Sequence, residues 1–145
     1  RAAGTHSPED AVAAVRAALE GRTRQAMPLA WATTQFNLAR AQQLWGEREE
    51  GTDHLVEAMG AYRAASEARA RERLPLHWAM CQYHLGYCQF TLGERRNDTD
   101  AMRQSMLSFK LALDAFQRSG AEYYAGITRR RIKGLETALE NRRAE

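Results

Sequence analysis

The sequence predicts an all-helical protein of about six helices, arranged as antiparallel pairs that repeat along the chain as a solenoid. Three observations lead there. The chain matches itself when shifted by 47 residues. Pro and Gly punctuate that repeat at the same places in both copies. No stretch keeps up a two-residue apolar–polar alternation, and no Asn-Gly type hairpin signal occurs.

The repeat is read residue by residue. Pro28-Leu29-Ala30-Trp31-Ala32 falls on Pro75-Leu76-His77-Trp78-Ala79, and Gln35-Phe36-Asn37-Leu38 on Gln82-Tyr83-His84-Leu85. Gly46-Glu47-Arg48 falls on Gly93-Glu94-Arg95, and Thr52-Asp53 on Thr99-Asp100. Met59, Tyr62 and Ala65 fall on Met106, Phe109 and Ala112. The frame extends outward, to Val12 and Val15 at one end and to Thr128 and Ile132 at the other. A fixed period of this length marks stacked supersecondary units. The expected units are a half repeat (8–24), two repeats (28–72 and 75–118) and a final half repeat (121–141).

Each helix has its own signals. The first (8–24) opens on Ser7-Pro8-Glu9-Asp10, a capping residue followed by Pro and acids. The second (28–45) and fourth (75–92) begin at Pro28 and Pro75, where a missing N–H costs nothing. Gly46 and Gly93 are expected to stop them in a left-handed conformation. The third (52–72) and fifth (99–118) follow Thr52 and Thr99 as expected caps. They carry Leu55, Ala58, Met59, Tyr62 and Ala65, or Met102, Ser105, Met106, Phe109 and Ala112, at helical spacing. The sixth (121–141) takes the frame of the second and fourth.

At 145 residues, 44% hydrophobic and 27% charged, the chain suits one folded domain with a core. No apolar run approaches the roughly 18–20 residues of a membrane span. The opening Arg1-Ala2-Ala3-Gly4-Thr5-His6 has no Met and no targeting signature, and is expected to come from a longer protein. Net charge is +3, and from Arg118 onward seven basic residues face four acids. The net charge therefore sits in the tail from Arg118 onward, whereas a nucleic-acid binder more often spreads positive charge along a face or groove. Cys81 and Cys88 lie seven apart, about 10.5 Å along a helix, too far for a disulfide. Two buried thiols are expected, in a reducing compartment, and the cytoplasm fits.

The pattern resembles the tetratricopeptide repeat family. Leu38-Ala39 and Leu85-Gly86 sit where that family carries Leu-Gly, and Asn37 where it commonly has Asn. Ala58, Tyr62, Ala65 and Ser105, Phe109, Ala112 match its small–aromatic–Ala series. The family's unit is about 34 residues, whereas this one is 47, as in long-unit variants from arrays of bacterial multidomain proteins. The resemblance implies a right-handed array whose first helices line a concave groove. It further implies a scaffold, part of a larger protein, that binds a peptide or partner segment there.

Carried over by the frame, the groove residues that the resemblance implies are Asn37, Arg40 and Gln43 from one unit, His84 and Tyr87 from the next, and Arg130 and Arg131 from the last. Thr33, Met80, Phe90 and Thr137 are further lining positions. Arg suits bidentate capture of a carboxylate, and Asn can bond a peptide backbone. An acidic or C-terminal peptide is the expected partner. One alternative is a self-associating array, because a solenoid cut mid-unit leaves an apolar end to cover. An RNA-binding helical repeat is another, though Asn37, His84 and Arg131 form no repeated base-reading set. His77, Cys81, His84 and Cys88 share one helix face, but the stripe is about 16 Å long and is expected to pack, without metal. No nucleophile–base pair or Gly-rich phosphate loop stands out, so neither enzyme activity nor a cofactor is predicted.

Overall fold

The computed structural model describes residues 7–20, 28–69 and 73–144. They form α1 (Pro8–Glu20), α2 (Pro28–Arg48), α3 (Asp53–Arg69), α4 (Pro75–Arg96), α5 (Thr99–Arg118) and α6 (Glu122–Ala144). Among the described residues there is no strand. Residues 1–6, together with 21–24 and 70–72, two stretches expected to extend helices, lie outside the described residues.

Side chains cap the helices, though not always the ones expected. Ser7 Oγ accepts the Asp10 N–H at 3.2 Å, as its position before Pro8 predicts. At α5 the cap is Asp98, not Thr99: its carboxylate accepts the N–H groups of Asp100 and Ala101 at 3.0 and 3.2 Å. Near the start of α3 the Glu49 carboxylate accepts the His54 N–H, while the Thr52 hydroxyl accepts from Arg96 at 2.6 Å. In both cases an ionised acceptor takes the role from a hydroxyl, and the helix dipole favours that exchange.

Gly46 and Gly93 do not stop their helices. α2 runs on to Arg48 and α4 to Arg96, and α4 ends instead at Asn97, in the left-handed region at φ 53°. The two glycines are there for contact. A Cβ on Gly46 would lie 2.9 Å from Leu55 Cγ, and one on Gly93 would lie 2.5 Å from Met102 Cγ. These pairs are equivalent in the 47-residue frame, so the glycines let the long helices of each pair close tightly at one end. Gly120 does take a left-handed conformation, at φ 71°, and ends α5.

Each helix packs on its neighbours in sequence. The pairing of α4 and α5 is antiparallel, because Gly86 meets Phe109 while Gly93, further along α4, meets Met102, earlier on α5. Side chains from every junction make the core. Tyr62, Phe109 and Phe116 are its largest fully enclosed members, alongside Leu55, Met102 and Leu135. Burying each contributes roughly 1.5–3 kcal/mol. The period reappears in the packing. Phe36 meets Tyr62 edge-on at 5.6 Å, and their frame equivalents Tyr83 and Phe109 meet edge-on at the same 5.6 Å. Leu38, Leu85 and Ile132 are all buried, as are Thr34, Cys81 and Thr128.

Arg95 ties the successive pairs together. Its guanidinium donates to the carbonyls of Gly46, Glu47 and Gly51 at 2.7, 3.1 and 2.9 Å. Carbonyls at a helix end lack internal partners, and a cation there satisfies them.

The outer face of α6 differs from expectation. Ala39 and Gly86 correspond in frame to Lys133, Gln42 and Gln89 to Glu136, and Gly46 and Gly93 to Glu140. The first four and both glycines are buried, whereas Lys133, Glu136 and Glu140 are exposed. This face of α6 is therefore charged where the equivalent faces of α2 and α4 carry Ala, Gly and Gln. Unpaired charges on that surface would be costly to bury against another helix.

Candidate functional site

The seven predicted groove residues lie on α2, α4 and α6, the helices that begin each unit. α3 and α4 bring an unexpected neighbour to them. His84 sits half-buried among three aromatic rings: Tyr62 of α3 stacks on it at 5.5 Å, 10° from parallel, while Phe36 and Tyr83 meet it edge-on. Arg40 of α2 donates to His84 Nδ1 at 3.4 Å and reaches Gln43 Oε1 at 3.5 Å. Accepting from a guanidinium requires the neutral imidazole at that nitrogen. Burial, followed by the neighbouring Arg40 charge, pushes the His84 pKa down to about 4.

Gln43 is a correction. It is buried, 3% exposed, with Oε1 accepting the Tyr62 hydroxyl at 2.5 Å and Nε2 donating to Glu47 at 3.2 Å. A ligand cannot reach it. Its role is to satisfy the hydroxyl of a fully enclosed tyrosine, which would otherwise be an orphaned donor. Burial also pushes the Tyr62 phenol upward.

The other members remain accessible. Asn37 is exposed; Arg40 and Tyr87 are half-buried; Arg130 and Arg131 are exposed. Arg131 lies over the Tyr87 ring, 4.8 Å from its centroid, and its Nε donates to the Tyr83 hydroxyl at 3.3 Å. Two aromatic side chains of α4 thus hold the α6 guanidinium toward α4. Tyr83 and Tyr62 were not among the expected groove residues; their frame positions beside Asn37/His84 and opposite Gln43 were the available signals. Among the described residues no carboxylate pairs with Arg40, Arg130 or Arg131.

The His77–Cys81–His84–Cys88 stripe divides between environments. His77 is exposed at a cleft with Leu29, Thr33 and Leu74, Cys81 and Cys88 are buried and form no disulfide, and His84 faces Arg40. Burial pushes the Cys88 thiol up to about 12. Among the described residues no cluster of His, Cys, Asp and Glu is arranged for a metal ion, and no helix is long and apolar enough to cross a membrane. No protein-family model, curated protein or solved structure matches the sequence.

Proposed function

We propose that this chain is a protein-interaction module: an array of helix pairs of tetratricopeptide kind, in which α2, α4 and α6 line a concave groove for an acidic partner segment. The resemblance further motivates reading it as part of a larger bacterial protein, and the two buried thiols favour a reducing compartment such as the cytoplasm. The observation that carries the reading is the presentation of guanidinium groups without acids. Arg40 is held by His84 and Gln43, and Arg131 by Tyr83 and Tyr87, so each cation is oriented by neutral groups that leave its charge uncompensated. Such cations favour carboxylates and disfavour basic sequences. Exposed contacts of this kind are individually worth little, so affinity is modest and falls with salt. The exposed Lys133, Glu136 and Glu140 on one face of α6 argue against apolar self-stacking through that face.

The test is a titration of acidic and basic peptide pools against wild type and an Arg40→Ala/Arg131→Ala double variant. Preferential binding of the acidic pool, weakened in the double variant and by added salt, is the expected result. Equal binding of both pools, or an unaffected double variant, overturns the reading.

A further inference from the structure

In the 47-residue frame Arg40 corresponds to Tyr87, and Tyr87 to Gly134. The first two units thus carry a long side chain at this position and the third carries none. A cleft of about 170 Å³ opens there between α4 and α6. Tyr87, Phe90, Phe109 and Leu135 line it, with Arg130 and Arg131 also at its walls. Phe109 and Leu135 belong to the core, at 2% and 1% exposure, so the floor is the protein interior. A Cβ added to Gly134 would meet nothing within 4 Å.

We propose that this cleft is an anchor site for one bulky apolar side chain, Leu- or Phe-like, carried within an acidic segment of a partner protein. The inference rests on the functional reading above and specifies the ligand more narrowly. A cavity of about 150 Å³ with apolar walls admits a benzene-sized group, so the space suits one side chain. Apolar walls beside two guanidiniums with no carboxylate partner select an apolar group flanked by negative charge. Arg40 reaches His84 of α4 from α2, whereas Arg131 reaches Tyr87 of α4 from α6, where the cleft opens. A segment that meets both Arg40 and the Arg130–Arg131 pair must therefore run past the cleft. Its anchor is accordingly internal to the segment and has carboxylates on both sides. Gly134 has no side chain at the frame position where the other two units carry Arg40 and Tyr87.

The experiment uses fluorescein-labelled peptides with one central Leu among Glu and Ser, an otherwise identical peptide with Ala, and each with a free or an amidated C-terminus. Anisotropy titrations are run on wild type and Gly134→Leu. Wild type is expected to bind the Leu peptide about tenfold or more tightly than the Ala peptide, the effect of burying one such side chain. Amidation leaves this ratio unchanged. Gly134→Leu should fill the cleft and abolish the Leu-over-Ala preference. It should also raise the melting temperature, because a helix-interior glycine is replaced by a better helix former. A stabilised variant that has lost only the preference cannot be explained by misfolding. Equal binding of the Leu and Ala peptides to wild type, or a preference surviving in Gly134→Leu, overturns the anchor site while leaving the acidic-groove reading in place. Loss of the Leu peptide on amidation also overturns it, since the cleft would then read a chain end. Failure of every acidic peptide to bind removes both.

Discussion

Tyr62 lies parallel to His84, with ring centroids 5.5 Å apart, while its hydroxyl donates to Gln43 across the α2–α3 junction. One enclosed side chain thereby links three helices, and through His84 it underlies Arg40 of the proposed groove. Stability and binding share this contact, which makes it the natural place to perturb.

Replacing Tyr62 by Phe keeps the stack and removes the hydroxyl. Gln43 Oε1 is then left with the distant Arg40 Nη1 as its partner in a buried setting. The expected loss is about 1–3 kcal/mol, the cost of a buried acceptor that loses its donor. Urea unfolding of Tyr62→Phe beside wild type measures it. An unchanged midpoint would mean that water reaches Gln43.

Gly93 and Gly134 are both helical glycines with opposite surroundings. Gly93→Ala places a methyl 2.5 Å from Met102 Cγ, and 3.0 and 3.2 Å from the backbone at Asp98 and Met102. Overpacking of this kind costs about 1–3 kcal/mol, more than the roughly 0.5–1 kcal/mol gained by replacing a helical glycine. Gly134→Ala meets open space and keeps only the gain. Differential scanning calorimetry should therefore show the first variant melting below wild type and the second above it.

His84 predicts an acid-sensitive stability. Its folded pKa of about 4 lies below the unfolded value near 6.5, so the unfolded chain binds more protons between those limits. The contribution is complete above about pH 6.5 and is lost as pH falls toward 4, on the order of 3 kcal/mol in all. His84→Phe retains a ring between Tyr62 and Phe36 without a titrating group. Its unfolding free energy should fall less steeply than that of wild type over the same pH window. Parallel slopes for the two proteins would show that the carboxylates, not His84, set the dependence.

What the sequence determined by itself is the division into helices, because helices are specified locally. Pro28 and Pro75 preset the backbone of a first turn, Ser7 supplies an acceptor three residues from its donor, and the apolar spacing along 99–118 selects one buried face. Those signals act over one or two turns, and the 47-residue frame repeats them, so the starts of α1, α2, α4 and α5 and the burial of Phe109 follow from residue order. The tertiary structure decided whatever depends on a neighbouring helix. Gly46 and Gly93 looked like helix stops because glycine favours that conformation, yet Leu55 and Met102 approach so closely that the absence of a Cβ is their use. Gln43 and Arg40, three residues apart on α2, separate into an enclosed acceptor and a half-exposed cation only because Tyr62 arrives with a hydroxyl to satisfy. Likewise, Arg131 is drawn toward α4 by Tyr83 and Tyr87, 48 and 44 residues earlier in the chain, and the cleft beside it opens where Gly134 has no side chain to fill it. Each of these outcomes turns on which side chain another helix presents at a given height. Local propensity carries no information about that.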